Sequence, residues 1–305
     1  MKIVVIGGDG QLGSDLVSAF TANGDAVRAL THSHIEIANP ASVSCLLEEI
    51  QPDVIINTAA MHHVENCERE PEKAFAVNGL GPKNLAVVAQ SLNAVLMHVS
   101  TDYVFDGSKG SPYTEADNPH PLNTYGITKL AGEHFVRSNS ERHFVVRTSG
   151  LYGRNPCRAK NGLNFVELML KLGKERPEVR VVDSEVVSPT STVELARQLV
   201  QLSRSDSYGI YHATAEGSCS WYEFAQEIFA LTDAPVRLKA AESGEFPTKV
   251  PRPKYSVLEN QALKARGLNI CKHWRDGLRS YLEGRTHVRI GSDKYLTAPT
   301  TPNRT

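Results

Sequence analysis

An excess of charge of either sign is missing from this sequence. Its 33 Lys and Arg face 34 Asp and Glu, a formal charge of -1 over 305 residues. That balance offers no basic surface for nucleic acid or for an anionic membrane. Long apolar runs are missing too. None approaches the ~20 residues of a membrane span. The opening Met1-Lys2-Ile3-Val4-Val5-Ile6 is too short for a signal peptide and runs straight into a glycine-rich motif. Cysteine is scarce, scattered and odd in number: Cys45, Cys67, Cys157, Cys219 and Cys271, with no C-x-x-C pair. Structural zinc is thereby disfavoured, and reduced thiols in a cytoplasmic protein are expected. No internal repeat is present. What remains is 41% hydrophobic and 22% charged, the balance of a globular chain with one large or two modest domains.

The first motif follows a short β-rich run. Lys2 to Ile6 enters Gly7-Gly8-Asp9-Gly10-Gln11-Leu12-Gly13, and an amphipathic stretch from Ser14 to Asn23 follows, closed by Gly24. Strand, glycine turn and helix in that order are the setting of a dinucleotide-binding fingerprint. Gly7, Gly10 and Gly13 permit a tight turn and let backbone N–H groups reach a pyrophosphate, with the helix N-terminus behind them. Gln11 and Leu12 sit in the same turn. After the next strand, Ala26 to Leu30, an NAD-selecting acid is absent: the positions read Thr31-His32-Ser33-His34. Arg28 and the histidines suit a 2′-phosphate, which points to NADPH, with NADH as the open alternative. A buried strand, Pro52 to Asn57, then delivers Thr58, Ala59 and Ala60, small enough for a cofactor to approach Ala59 and Ala60.

The chemistry concentrates between Val99 and Lys129. The apolar run Ala94 to Val99 reads as a buried strand that carries Ser100, Thr101 and Asp102 to its C-terminal end. A Gly/Pro-rich loop follows, and Asn123 or Thr124 caps a helix containing Tyr125 and Lys129. Four residues apart, these two share one helix face. An ammonium beside a phenol favours phenolate and lowers a pKa that starts near ~10. Thr101 supplies a hydroxyl for the same substrate oxygen. Thr101, Tyr125 and Lys129 are the expected catalytic set.

The remaining chain alternates strands and helices through Asn139, with a further strand from His143 to Thr148. Pro71 to Leu92 reads as one long helix. His62, His63, Glu65, Cys67 and Glu68 lack metal-ligand spacing and read as a polar loop at a cleft edge. Further helices are expected over Asn164–Leu172, Val193–Ser203 and Ser220–Leu231, the last capped by Ser220. Strands are expected over Val179–Val182 and Gly209–Ala213. The basic loop from Lys249 to Lys254 suits a substrate diphosphate and a solvated linker equally. Residues from about Thr286 to Thr305 lack periodicity and read as a loose tail. The fold class is α/β: a doubly wound parallel sheet whose ligands lie at the C-terminal strand ends.

These motifs resemble the extended short-chain dehydrogenase/reductases, and among them the dTDP-4-dehydrorhamnose reductases. The resemblance spans roughly residues 1 to 283 and rests on GGDGQLG, NTAA, VNGLGPKNLA, STDYVFDG, PLNTYGITKLAGE, RTSGLYG, SWYEFA and RPKYSVL. It implies a Rossmann domain over 1–148, with pieces near 176–203 and 249–272. It implies a smaller interwoven nucleotide-sugar domain over 149–175, 204–248 and 273–285. The implied reaction is NAD(P)H-dependent reduction of dTDP-4-dehydro-6-deoxy-L-mannose to dTDP-L-rhamnose. In it Tyr125 donates the proton, Thr101 hydrogen-bonds the C4 oxygen, and Lys129 holds the nicotinamide ribose and lowers the Tyr125 pKa. The related 4,6-dehydratases carry Asp-Glu after the Thr; here Tyr103 follows Asp102, which fits a simple reductase.

Two positions depart from the resemblance. The rhamnose reductases commonly read RTSW where this chain has Ser149 followed by Gly150. Their DDQxGxPT segment reads here Asp183-Ser184-Glu185-Val186-Val187-Ser188-Pro189-Thr190. Both lie on the substrate side. They keep open a reductase of another NDP-4-keto-6-deoxysugar, and a non-catalytic NADP-binding regulatory subunit is the alternative from another class. Some relatives dimerise through magnesium. Asp15 matches one such position without identifiable partners, so a homodimer stays open and no metal is assigned.

Overall fold

The computed structural model describes residues 1–156, 162–241, 245 and 250–292. Six strands form one all-parallel sheet. Their spatial order is Gly209–His212, His143–Thr148, Val95–Thr101, Val54–Asn57, Lys2–Ile6 and Ala26–Leu30. Alternation along the strands divides the core in two. Ile3, Val5, Ile56, Met97 and Val146 pack on one face against Leu16 and Phe20 of the helix Gln11–Ala22 and Leu195 and Leu199 of Thr192–Leu202. Val4, Ile6, Ile55, Leu96 and Val145 face the other way. There they meet Leu47 of Pro40–Ile50, Leu85 of Gly81–Ser91 and Val136 of Thr124–Asn139. With both faces covered, the sheet is doubly wound. Its order reverses at Lys2–Ile6, so a crevice opens at the carboxyl ends of that strand and Val54–Asn57.

A separate core holds the smaller unit. Tyr152, Val166, Val179, Phe224, Ile228, Trp274 and Leu278 are buried together between the helices Phe165–Glu175, Trp221–Leu231 and Trp274–Ser292. Ser220 caps the second of these in a full capping box with Glu223.

Several elements differ from the sequence expectation. The long helix over Pro71–Leu92 is broken: Pro71–Phe75 and Gly81–Ser91 flank a π-helical turn, Ala76–Leu80. The turn holds Asn78, whose buried amide accepts from Met61 N at 2.9 Å and donates to Met61 O and Thr128 Oγ1. The polar stretch after Ala60 contains a short helix, Val64–Arg69. Glu68 on it accepts from the backbone N and hydroxyl of Thr124, at 2.6 and 2.8 Å. Gly209–His212, expected in the smaller unit, pairs in parallel with His143–Thr148 and closes the edge of the large sheet. Glu178–Val181, expected with the larger unit, pairs instead with Arg237–Ala240. Strand pairing is a choice between sheets that local sequence does not encode. The last helix runs to Ser292, past the expected start of a tail at Thr286, because Trp274, Leu278 and Tyr281 anchor it in the smaller core. Residues 293–305, Cys157 and Lys249 lie outside the described residues.

Candidate active site

The glycine turn is as tight as its spacing predicts. Gly7 N and Gly8 N both donate to Leu30 O, at 2.8 and 3.1 Å, and Gly10 N donates to Gly7 O. A Cβ on Gly13 would lie 2.0 Å from Gly7 O, so only glycine lets the helix begin this close to the turn. No side chain caps the helix start at Gly10. This cradle suits a dinucleotide pyrophosphate: backbone N–H groups and the helix dipole face the crevice. Gln11 donates from Nε2 to Gly153 O at 3.1 Å, tying the turn to the smaller unit. Leu12 is buried in the core beneath it.

One cleft of about 680 Å³ runs from this turn to the smaller unit. Gly7, Gly10, Gln11, Leu12 and Gly13 line its first end, with Ala59 and Ala60 beside them. Thr31, His32 and Glu36 border the same end. Arg28 is not among the lining residues; its guanidinium turns toward Glu49, 3.9 Å away. His34 folds back so that Thr31 N donates to its Nδ1. The 2′-phosphate expectation therefore narrows to Thr31 and His32.

Thr101, Tyr125 and Lys129 meet at mid-cleft. Asn123, not Thr124, caps the helix that carries the latter two, accepting from Gly126 N at 2.9 Å. The Thr101 and Tyr125 hydroxyls are hydrogen-bonded. Tyr103 packs edge-on against Tyr125, with ring centroids 5.7 Å apart. Lys129 is 2% exposed, and Nζ donates to Val99 O at 2.7 Å. His98 Nε2 lies 3.4 Å from the same ammonium. Burial, and then Lys129, hold His98 well below the usual imidazole range, so it is neutral.

The expected lowering of the Tyr125 pKa is absent in this structure. Burial raises it, with Asp102 and Cys67 adding to the effect and Thr101 opposing it. Lys129 spends its reach on Val99 O and His98, and burial lowers its own pKa to about 8 despite Glu133 one turn away. The consequence is a phenol that holds its proton throughout the neutral range. Such a group serves as an acid toward an oxygen that gains negative charge.

Two networks support the set, and neither is marked in the sequence. Asp102 is buried and accepts from Thr101 Oγ1, Ser149 Oγ and Ser256 Oγ. Below it Glu133 and Arg147 form a buried ion pair, 2.7 Å between Arg147 NH2 and Glu133 Oε2, with Ser100 donating to Glu133. Arg147 also lies over the Phe105 ring.

The far end of the cleft is aromatic and cationic. Phe165 and Trp221 line it with centroids 4.6 Å apart, each at the first position of a separate helix. Trp221 is held by a side-chain hydrogen bond to Glu185. Arg252 from the basic loop reaches the cleft, where Glu65 accepts from it at 2.5 Å. Sequence reasoning found that loop but not the aromatic pair, because nothing local predicts that two helix starts meet.

The profile of the RmlD substrate binding domain family matches residues 1–286. The chain belongs to this family. A dTDP-4-dehydrorhamnose reductase from Streptomyces griseus is 39% identical over 282 residues, covering 90% of this chain and 91% of that one. A dTDP-4-keto-6-deoxy-D-glucose reductase from Streptomyces niveus is 37% identical, covering 90% and 94%. A crystal structure of a dTDP-4-dehydrorhamnose reductase from Bacillus anthracis in complex with NADP superposes with a TM-score of 0.88, at 36% identity, covering 93% of this chain and 99% of that one.

Within the RmlD family pattern, position 150 has a structural cause in this chain. Gly150 has φ +58°, and a Cβ there would lie 3.0 Å from Pro189 Cα. A tryptophan would be strained in that backbone. Asp15, the one residue matched to a metal position, accepts from Thr192 Oγ1 at 2.5 Å.

Proposed function

We propose that this chain is an NADPH-dependent oxidoreductase that reduces the C4 ketone of dTDP-4-dehydro-L-rhamnose, giving dTDP-L-rhamnose. The observation that carries the reading is one continuous cleft joining the glycine cradle, the Thr101–Tyr125–Lys129 set and the Phe165–Trp221–Arg252 end. NADPH supplies the hydride when bound. Gly7, Gly10 and Gly13 keep the turn tight, so that the backbone N–H groups of the first turn of the helix Gln11–Ala22 receive its pyrophosphate, and Ala59 and Ala60 leave room beside it.

Tyr125 donates its proton to the ketone oxygen as that oxygen becomes an alkoxide. Burial keeps the proton on Tyr125 until then, so the acid is ready without a prior titration. Thr101 hydrogen-bonds the same oxygen and fixes its position. Lys129 holds the nicotinamide ribose and adds positive charge near the developing anion. Phe165 and Trp221 give the nucleotide sugar an apolar wall, and Arg252 meets its diphosphate. The larger unit is the dinucleotide-binding domain and the smaller unit the nucleotide-sugar domain. The setting is cytoplasmic, and a homodimer is the assembly that light scattering would test.

The experiment is loss of NADPH absorbance with freshly generated dTDP-4-dehydrorhamnose, repeated with NADH. Rapid oxidation is expected with NADPH. A protein that binds NADPH but leaves the sugar unreduced overturns the substrate assignment. The second reading, another dTDP-4-ketosugar, is favoured by Gly150 and by the Streptomyces niveus relative at nearly equal identity.

A further inference from the structure

Asn57 and His98 stand opposite each other on the neighbouring strands Val54–Asn57 and Val95–Thr101, and both are fully buried. Ala59 N donates to Asn57 Oδ1 at 3.1 Å. A backbone N–H only donates, so this contact fixes which end of the amide is oxygen. The amide nitrogen, also a donor only, then faces His98 Nδ1 at 3.1 Å, and Nδ1 accepts. His98 is neutral, so its one ring hydrogen sits on Nε2. Nε2 lies 3.4 Å from Lys129 Nζ. An ammonium at Nζ has only hydrogens to offer, and two donors meet. An amine has a lone pair that accepts from Nε2–H. Val99 O, 2.7 Å from Nζ, accepts from either form. The contact with His98 therefore separates the two forms, and it favours the amine.

We propose that Asn57 and His98 are positioning residues that hold a hydrogen against Lys129, so that NADPH binding is coupled to uptake of a proton by that lysine. The inference rests on the reading above, in which Lys129 holds the nicotinamide ribose. Ribose hydroxyl oxygens accept hydrogen bonds, so a bound cofactor gives the ammonium the partners that His98 withholds. The proton comes from solvent and goes to Nζ, and no other bond changes. The other groups around Lys129 do not take over this role. Glu133, one turn on along the helix, favours the ammonium but is itself ion-paired with Arg147 of His143–Thr148. Tyr125, one turn back, keeps its proton. So does Cys67 of Val64–Arg69, its thiol pushed up to about 11 by burial. Asp102, beyond Thr101, accepts from three hydroxyls. Val54–Asn57 and the turn Ala76–Leu80 carry no titratable side chain.

The coupling has a use in the cycle. Before the cofactor binds, a charged Lys129 would be a buried ammonium whose hydrogens meet one carbonyl, Val99 O, and a costly charge to keep in the interior. An amine held by His98 avoids that cost. Once NADPH is seated, the regained charge lies beside the cofactor and Tyr125, where the alkoxide develops.

The test is calorimetric titration of the whole protein with NADPH at pH 8, in two buffers of different ionisation heat, which counts the protons taken up. Burial lowers Lys129 to about 8, so about half of the free molecules lack the proton at that pH. The wild type should take up about half a proton per NADPH. His98→Phe removes the hydrogen that faces Nζ. Asn57→Asp turns the imidazole over: one carboxylate oxygen keeps Ala59 N, the other accepts from Nδ1, and Nε2 is left to accept from the ammonium. Both variants should hold the Lys129 proton before NADPH arrives, and uptake should fall at least twofold. A merely structural role would weaken NADPH binding and leave the proton count unchanged. No uptake by the wild type, or undiminished uptake in either folded variant, overturns the inference. If neither variant folds, the imidazole ¹⁵N spectrum of the wild type decides: a hydrogen on Nε2 of His98 is expected, and one on Nδ1 overturns the inference. Proton uptake without reduction of any ketosugar would overturn the reductase reading and leave the coupling in place. Absence of NADPH binding would overturn both.

Discussion

Two glycines of one motif should fail in different ways. In Gly13→Ala the new Cβ would sit 2.0 Å from Gly7 O, 2.8 Å from Gly7 C and 2.9 Å from Gly8 Cα. All three obstacles are backbone, so no rotamer relieves them, and the helix start must retreat by about 1.5 Å to reach ordinary contact. Overpacking of this kind costs up to ~3 kcal/mol. Alanine in place of glycine within a helix returns ~1 kcal/mol. The net cost is about 2 kcal/mol, or roughly 4–8 °C in Tm for a chain of this size class. The retreat also pulls the helix N-terminus from the cradle, so NADPH affinity should fall by about tenfold or more. In Gly10→Ala the Cβ meets only Gly7 O, at 3.2 Å, and the backbone is already extended at φ -78°. Its Tm should stay within about 1 °C of wild type, with the loss confined to NADPH binding. Differential scanning fluorimetry and fluorescence titration with NADPH read the two quantities. Equal Tm for Gly13→Ala and wild type, with equal NADPH affinity, would refute the reasoning.

Tyr125→Phe should keep NADPH affinity, since the ring still packs on Tyr103, and lose ~10²–10⁴-fold in turnover; near-normal turnover would remove Tyr125 from the mechanism. Lys129 should lose its proton near pH 8, so kcat/KM should fall above that pH in a stopped-flow pH series. Stability should move the opposite way. Between about 8 and the higher pKa of an unfolded lysine, the unfolded chain holds the extra proton, so the lysine's contribution to stability rises with pH in chemical denaturation. Trp221→Ala should raise the KM for the nucleotide sugar by about tenfold at unchanged NADPH affinity, the effect of about 1.4 kcal/mol of lost ring contact. Arg147→Met should destabilise the fold by ~3–5 kcal/mol in urea titrations, because it strands the Glu133 carboxylate in the interior.

Several features were legible because they are local. The glycine spacing announced the turn and its helix. The tyrosine and lysine four residues apart announced a shared face, and the apolar run before Ser100 announced the strand that presents Thr101. Other features depend on neighbours far away in sequence. Whether Gly209–His212 joins the large sheet or the small unit is decided by pairing with His143–Thr148. The direction of the Tyr125 pKa could not be read from the spacing of Lys129. Separation along the helix says nothing of burial, which dominates here, or of Val99 O, which takes the ammonium.

The sequence by itself determined the fold class, the glycine turn, and the placing of Thr101 at a strand end with Tyr125 and Lys129 on one helix face. Each follows from periodicity and short-range spacing, which act within one strand, turn or helix. The tertiary structure alone decided the ionisation and orientation of those groups. It buried Lys129 and half-buried Tyr125, set Asp102 between Thr101 and Ser256, and brought Phe165 to Trp221 across two helices. Desolvation and hydrogen-bond direction depend on everything within a few ångströms, and most of those neighbours lie tens to hundreds of residues away along the chain.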